Sequence, residues 1–171
     1  NATLPTAIAG AALYPFWDDL DADAAIVAGS GVYTRVDGVA PNRVFSIEWY
    51  RIGHFNMIAT TGDITFQVRL FENGNRIQYK YLDVIFAGAH TTFNNGLSAT
   101  VGLEGVVATP RPNTLVGFNV ASVNDGQCIE FVQPQACNPI PGATLNLNTT
   151  TGLCAANATI TLPTFNPAGC A

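Results

Sequence analysis

The chain has 171 residues, of which 48% are apolar and only 11% are charged, and its formal net charge is −5. Disordered chains are rich in charge and poor in apolar residues, so this composition indicates one buried core, in one domain or one domain with an appendage. The chain has a single lysine, Lys80, and no basic cluster, so it lacks the positive surface that nucleic-acid binding requires. The longest apolar stretches fall well short of the roughly 20 residues that span a bilayer, so no membrane span is predicted.

Near the N-terminus, four carboxylates lie within six residues of the stretch "YPFWDDLDAD": Asp18, Asp19, Asp21 and Asp23. Calcium prefers several oxygen ligands, so this set is a possible calcium site. The last three copy the first half of an EF-hand loop, but Ala24 stands where that loop needs glycine and Ser30 where it needs glutamate. The alternative is a solvated acidic turn, with Phe16 and Trp17 anchored in the core.

Two alternating stretches follow. "GVYTRVDG" predicts a strand that ends in a turn through "GVAPN", and "RVFSIEWYRI" predicts the next strand, with Phe45, Ile47 and Trp49 on one face. Trp49 and Tyr50 are candidates for a platform that stacks on sugar rings. Because they are consecutive on a strand, they face opposite sides and only one can join a given platform; core packing is the alternative for the other.

The stretch "DITFQVRLF" alternates most regularly, and its apolar face consists of Ile64, Phe66, Val68 and Leu70. Asn73-Gly74 then suits the positive φ angles of a tight turn, and "RIQYKYLDV" alternates again. We predict a β-hairpin from Ile64 to Val84.

Further short strands are predicted in "GLSATVGLEG", "TLVGFNVAS" and "QCIEFVQ", separated by the turn-rich pieces "NNG", "TPRPN" and "NDG". Many short strands divided by Gly, Asn and Pro turns favour an all-β, antiparallel, jelly-roll-like β-sandwich. We expect this sandwich to occupy residues 1–138. Residues 139–171 are predicted to form a disulfide-stapled β tail or the start of a next module.

All four cysteines lie late in the chain, at Cys128, Cys137, Cys154 and Cys170. An even number of cysteines in a weakly charged chain predicts two disulfides and an oxidising compartment. Proximity in sequence favours Cys128 with Cys137 and Cys154 with Cys170, although the other pairings stay open. Zinc is the alternative, but the close Cys-x-x-Cys pairs that it usually requires do not occur.

A run of motifs resembles a known extracellular module. "ALYPFWDDLD", "GVYTRVDGVAPNRVFSIEWYRIGHF", "ITFQVRLFENGNRIQYKYLDV" and "LSATVGLEG" are similar to a β-rich module of secreted bacterial surface proteins and subtilisin-like proteases. More distantly, "FWDDLD" followed by "GVYTR" resembles the nidogen-like domain. The resemblance covers roughly Leu4 to Pro134 and implies an extracellular setting.

The chain departs from that module at its start. The resemblance implies several strands before "PFWDD", whereas Asn1 to Ala12 can supply at most one. A sandwich without its first strands would present unpaired backbone edges and an uncovered apolar face. We therefore expect that the missing strands are cleaved away, lie outside this sequence, or are replaced by a segment from a neighbouring subunit, and the last option would make the chain a filament subunit.

Catalytic constellations are weakly indicated. Glu48 with Asp18 or Asp19 is the one pair of carboxylates that could hydrolyse a glycoside. For acyl transfer the chain offers His54 and His90 with four serines outside any G-x-S-x-G motif: Ser30, Ser46, Ser98 and Ser122. Both histidines are expected at the surface or in turns, and we predict no catalytic residue.

The sequence thus predicts a secreted, non-catalytic structural or adhesive protein, found extracellularly or at the cell surface. We expect it to self-associate into filaments by strand addition, with no cofactor other than possible calcium. The alternative is an accessory glycan- or calcium-binding module released from a larger secreted hydrolase, with an extracellular glycan as partner.

Overall fold

Two antiparallel β-sheets pack face to face in the computed structural model of the protein, which describes residues 1–6, 10–56, 58, 60–106 and 112–132. Asn1–Val132 form one compact unit. Within the described residues there are nine strands: β1 (Ala12–Trp17), β2 (Leu20–Asp21), β3 (Gly31–Asp37), β4 (Val44–His54), β5 (Ile64–Phe71), β6 (Arg76–Asp83), β7 (Thr100–Glu104), β8 (Asn113–Phe118) and β9 (Cys128–Val132). A 3₁₀ segment, Gly88–Gly96, precedes β7.

The smaller sheet has the order β1-β7-β8, and the larger sheet runs β4-β5-β6-β9, with β2 and β3 both paired to β4. Every pairing is antiparallel. The predicted all-β antiparallel sandwich is therefore confirmed. The predicted boundary at residue 138 and the disulfide-stapled tail lie outside the described residues and stay predictions.

The predicted hairpin is formed by β5 and β6, which pair from Leu70 opposite Ile77 back to Thr65 opposite Asp83. The positive φ angles of its turn lie at Gly74 (88°) and Asn75 (47°), one residue later than predicted. Glycine has no Cβ to clash, and asparagine tolerates this left-handed region better than most residues, so "NGN" can turn at either dipeptide. The alternating faces are unaffected by this shift.

The core lies between the sheets, and most of its largest fully buried side chains come from β5, β6 and the segment after β6: Ile64, Phe66, Val68, Tyr79, Tyr81, Val84 and Phe86. Two phenols connect the sheets. The hydroxyl of Tyr79 donates to the carbonyl of Gly102 (2.8 Å), and that of Tyr81 donates to the carbonyl of Pro15 (2.7 Å). Each buried hydroxyl is thereby satisfied without water, as burial of a polar group requires.

Burial raises the pKa of Tyr79 and Tyr81 well above the usual 10.0. As the pH rises, the unfolded chain therefore loses these phenol protons before the folded protein does. The contribution of the two phenols to the free energy of unfolding is fully present below about pH 10, and it is lost as the pH rises towards their pKa values in the folded protein. We expect the free energy of unfolding, measured by urea titration, to fall steeply above about pH 10. Tyr79→Phe with Tyr81→Phe should flatten this fall, whereas Tyr33→Phe, which alters a half-exposed phenol, should not. Equal slopes in both variants would contradict the assignment.

The N-terminal residues lie against the smaller sheet. Thr6 donates to the buried carboxylate of Glu104 through its backbone N–H (2.7 Å) and its hydroxyl (2.6 Å), and Thr100 donates to the carbonyl of Ala2 (2.6 Å). Leu4 is buried. Residues 1–6 thus cover part of the smaller sheet without adding a strand to it, and the first strand begins at Ala12.

Candidate functional site

The acidic stretch does not present its carboxylates together. The side chain of Asp18 is only 9% exposed, and its carboxylate accepts hydrogen bonds from the hydroxyl of Ser98 and from the N–H of Asp19. Asp23 instead accepts the N–H of Ala25 (2.8 Å) within its own turn. Asp18 is therefore part of the interior, while Asp23 stabilises the loop before β3.

Asp21 lies on β2, opposite Gly53, and the carbonyl of Asp19 accepts the N–H of Phe55. Among the described residues, no group of three or more His, Cys, Asp or Glu side chains could share a metal ion. The possible calcium site at Asp18, Asp19, Asp21 and Asp23 stays a prediction.

A buried cluster that sequence reasoning did not assemble lies beside Asp18. His54 Nε2 is 3.6 Å from Asp18 Oδ1, and the His54 ring stacks on Phe93 with centroids 3.6 Å apart. His90 meets both rings edge-on. Both histidines are buried, so their expected surface location is wrong. The aromatic residues around them are Phe86, in the segment after β6, and Phe93, in the 3₁₀ segment.

The order of these groups limits their chemistry. A nucleophilic serine needs a neighbouring base to take its proton, and that base is usually a histidine that a carboxylate orients. Here Ser98 donates directly to Asp18, and the carboxylate stands between the serine and His54. In the described part of the chain, the residue types of a catalytic triad are present, but the serine hydroxyl donates to the carboxylate and not to the histidine. His54 is therefore not placed to take the proton of Ser98.

The proposed carboxylate pair is not brought together either. Asp18 lines the same inner cleft as Trp49 and Phe66, whereas Glu48 lines a groove on the opposite face of the larger sheet. A glycosidase needs both carboxyl groups on one cleft, across the sugar. Asp18 and Glu48 therefore share no cleft in which they could flank one glycosidic bond.

Trp49 and Tyr50 face opposite sides of β4, as their adjacency requires. The Trp49 indole stacks on Phe66 in the interior (5.0 Å, 13°), while Tyr50 is exposed and meets Tyr33 edge-on (6.3 Å, 70°). The exposed aromatic pair is thus Tyr33 with Tyr50. In the β3–β4 pairing Gly31 lies opposite Tyr50, so Tyr33 is a diagonal neighbour of Tyr50. An expected register for these two strands could have identified this pair from the sequence.

Cys128 is exposed on β9. Cys137, Cys154 and Cys170 lie outside the described residues, so the predicted disulfides stay predictions.

By the residues that the structure describes, the inner face of the larger sheet is only partly covered. A cross-strand row of apolar residues runs over five strands of this face, and we call it the open apolar row: Val36, Phe45, Leu70, Ile77 and Phe131. Val36 is 58% exposed and Phe45 37%, whereas Phe66, four residues along β5 from Leu70, is 1% exposed. The smaller sheet therefore shields one end of this face. At the other end Val36 and Phe45 are exposed to solvent, while Leu70, Ile77 and Phe131 are partly buried against the core.

The outer face of the same sheet carries a polar groove of about 580 Å³. A second groove of about 350 Å³ adjoins it, and the two share Glu48, Gln67 and Lys80. These three residues are direct neighbours across β4, β5 and β6. The two faces of one sheet thus offer two unlike surfaces, an apolar row inside and a charged groove outside.

Comparison with known proteins adds the family. A family model described as "NIDO related" matches residues 1–133, which include all nine strands. No curated protein and no solved structure was found to match the chain. In the described residues, no helix is long and apolar enough to cross a membrane. Because the family model matches well over half of the sequence, the chain belongs to the nidogen-related family.

Proposed function

We propose that the protein is an extracellular, non-catalytic structural or adhesive module that assembles into filaments by strand addition. The nidogen-related family, the low charge and the even number of cysteines support an extracellular setting. The carboxylate between Ser98 and His54 supports a non-catalytic role. The observation that carries the proposal is the open apolar row together with the free strand edge beside it.

Strand β3 provides that edge. Among the described residues it pairs with β4 alone, and most of its side chains are exposed, Val32 by 53% and Val36 by 58%. Edge strands in monomeric proteins usually carry prolines, lysines or bulges that prevent pairing. The seven residues of β3 contain no proline and no lysine, and they pair with β4 in continuous register. Their two charged side chains, Arg35 and Asp37, pair with each other. This edge is suited to accept another strand.

The opposite edge of the same sheet is β9, which pairs with β6 alone in the described part of the chain. The open apolar row begins at Val36 on β3 and ends at Phe131 on β9. If β3 of one copy pairs with β9 of the next, the row continues from subunit to subunit and its apolar surface is progressively buried. Such a contact joins two different edges, so it is head-to-tail and generates a filament unless the rotation between subunits closes it into a ring.

We expect the purified chain to form concentration-dependent assemblies in light scattering after size exclusion, and filaments in negative-stain micrographs. Val36→Lys places a charge on the edge and in the row, and it should leave monomers. Val39→Lys is the matched control, because Val39 is 80% exposed in the turn after β3 and outside the row. Discrete monomers of the unaltered chain, closed dimers, or equal effects of the two lysines would contradict assembly through this edge.

A further inference from the structure

The outer groove contains charges that the protein itself does not neutralise. In the described part of the chain, the side chains of Glu48 and Lys80 make no hydrogen bond or ion pair, although they face the same groove. Gln67 on β5 lies between Glu48 on β4 and Lys80 on β6, so the backbones that carry the two charges are about 10 Å apart. That separation explains why they do not form a salt bridge.

Arg69 adds a second cation. It lies diagonally across from Lys80, because Arg69 pairs with Gln78 and Lys80 with Gln67. Diagonal neighbours are about 7–8 Å apart, which leaves room for a carboxylate between the two cations. The only side-chain hydrogen bond of Arg69 among the described residues runs to the neutral amide of Gln78, at 3.5 Å. Arg35, by contrast, is already paired with Asp37.

The charge balance therefore favours an anion that also carries hydrogen-bonding groups. Two cations, Arg69 and Lys80, face one carboxylate, Glu48, so a ligand with a single negative charge neutralises the groove. Glu48 can then only accept hydrogen bonds, while Gln67 and Ser46 can both donate and accept. Hydroxyl groups next to a carboxylate satisfy this set of partners.

An aromatic surface lies at the same groove. The Tyr33 ring lines it, is half exposed, and is held in place by its hydroxyl, which donates to the carbonyl of Gly29 (2.9 Å), and by the edge of Tyr50. A fixed, half-exposed ring presents an apolar face without further loss of side-chain freedom. The C–H face of a sugar ring is the apolar surface that matches it.

We propose that this groove binds an acidic oligosaccharide, with a sugar carboxylate between Arg69 and Lys80, hydroxyls on Glu48 and Gln67, and one ring against Tyr33. Binding at the outer face uses the Tyr33 side chain of β3, but it requires neither the unpaired backbone groups of the β3 edge nor the open apolar row. It would give the protein an adhesive function that is independent of its assembly.

The probe is tetragalacturonate, titrated into the full chain by isothermal titration calorimetry. We expect saturable binding that weakens at least about tenfold in Lys80→Met, because a charge-assisted hydrogen bond is lost, and severalfold in Tyr33→Ala. The fully methyl-esterified tetramer has the same rings and hydroxyls without the charge, and it should bind at least about tenfold more weakly than the acid.

Arg76→Met is the matched control. Arg76 lies on the same strand and the same face as Lys80 but outside the groove, where it pairs with Glu130, so the variant removes the same charge elsewhere. Its affinity should be unchanged. No saturable binding, equal binding of acid and ester, or an equal loss in Arg76→Met and Lys80→Met would overturn the proposal. Thermal melts of each variant distinguish lost binding from lost folding. If the protein is monomeric but still binds tetragalacturonate, the proposed assembly is contradicted and the proposed binding site is not.

Discussion

Phe66→Ala is expected to destabilise the protein by about 3–5 kcal/mol, the usual cost of removing a buried aromatic side chain. Phe66 is 1% exposed on β5, and its ring lies between Trp49 (5.0 Å) and Phe16 (5.8 Å). Its removal leaves a cavity where the two sheets meet, because β1 supplies Phe16 and β4 supplies Trp49. The measurement is the midpoint of urea unfolding, followed by tryptophan fluorescence, at an unchanged slope.

Phe55→Ala is the control for this variant. Phe55 is 55% exposed just after β4, so its truncation should change the free energy of unfolding by no more than about 0.5 kcal/mol. If Phe66→Ala does not fold, Phe66→Leu retains most of the volume and should cost less than about 1.5 kcal/mol. A loss below about 1 kcal/mol in Phe66→Ala would mean that the sheets do not pack as described.

Gly102→Ala is expected to destabilise the protein by about 3 kcal/mol. A Cβ at this position would lie 2.4 Å from the carbonyl oxygen of Thr114 and 2.8 Å from the Leu4 side chain. The first contact is with the backbone of β8, which cannot move without separating it from β7. The carbonyl of Gly102 also accepts the hydrogen bond of Tyr79, so a shift of β7 disturbs the contact between the sheets.

Gly31→Ala is the matched control, because Gly31 also lies in a strand and has no positive φ. Its added Cβ would meet only the Tyr33 ring, at an ordinary 3.5 Å. We expect a change within about 0.5 kcal/mol. Equal melting temperatures for the two alanine variants would contradict the close approach of β7 and β8 at Gly102.

The strands of the larger sheet were predictable because their side chains alternate. Ile64, Phe66 and Val68 are buried as expected, and Gln67 and Arg69 lie on the outer face. Period-two alternation is a local property, so each strand's faces follow from its own residues. The hairpin turn was placed one residue early, because "ENGN" offers more than one residue that accepts a positive φ.

The buried cluster around Asp18 could not be predicted in the same way. Asp18 and Ser98 are 80 residues apart, and their contact depends on how β1 and the segment before β7 meet. The same holds for His54 and His90, which were expected at the surface. Polar residues near strand ends and in loops are usually exposed, and only the packing of Phe86 and Phe93 around the two histidines reverses this.

The sequence by itself determined the strands from β3 to β9, and for the long strands of the larger sheet it determined the apolar face, because neighbouring residues on an extended chain must point in opposite directions. It did not predict β1 or β2. Only the tertiary structure decided how far that apolar face is covered. Phe66 and Phe45 both lie on the predicted inner face, yet one is buried and the other is 37% exposed. The physical reason is that coverage depends on where a second sheet lies, and the three strands of the smaller sheet leave the Phe45 and Val36 end of the open apolar row exposed.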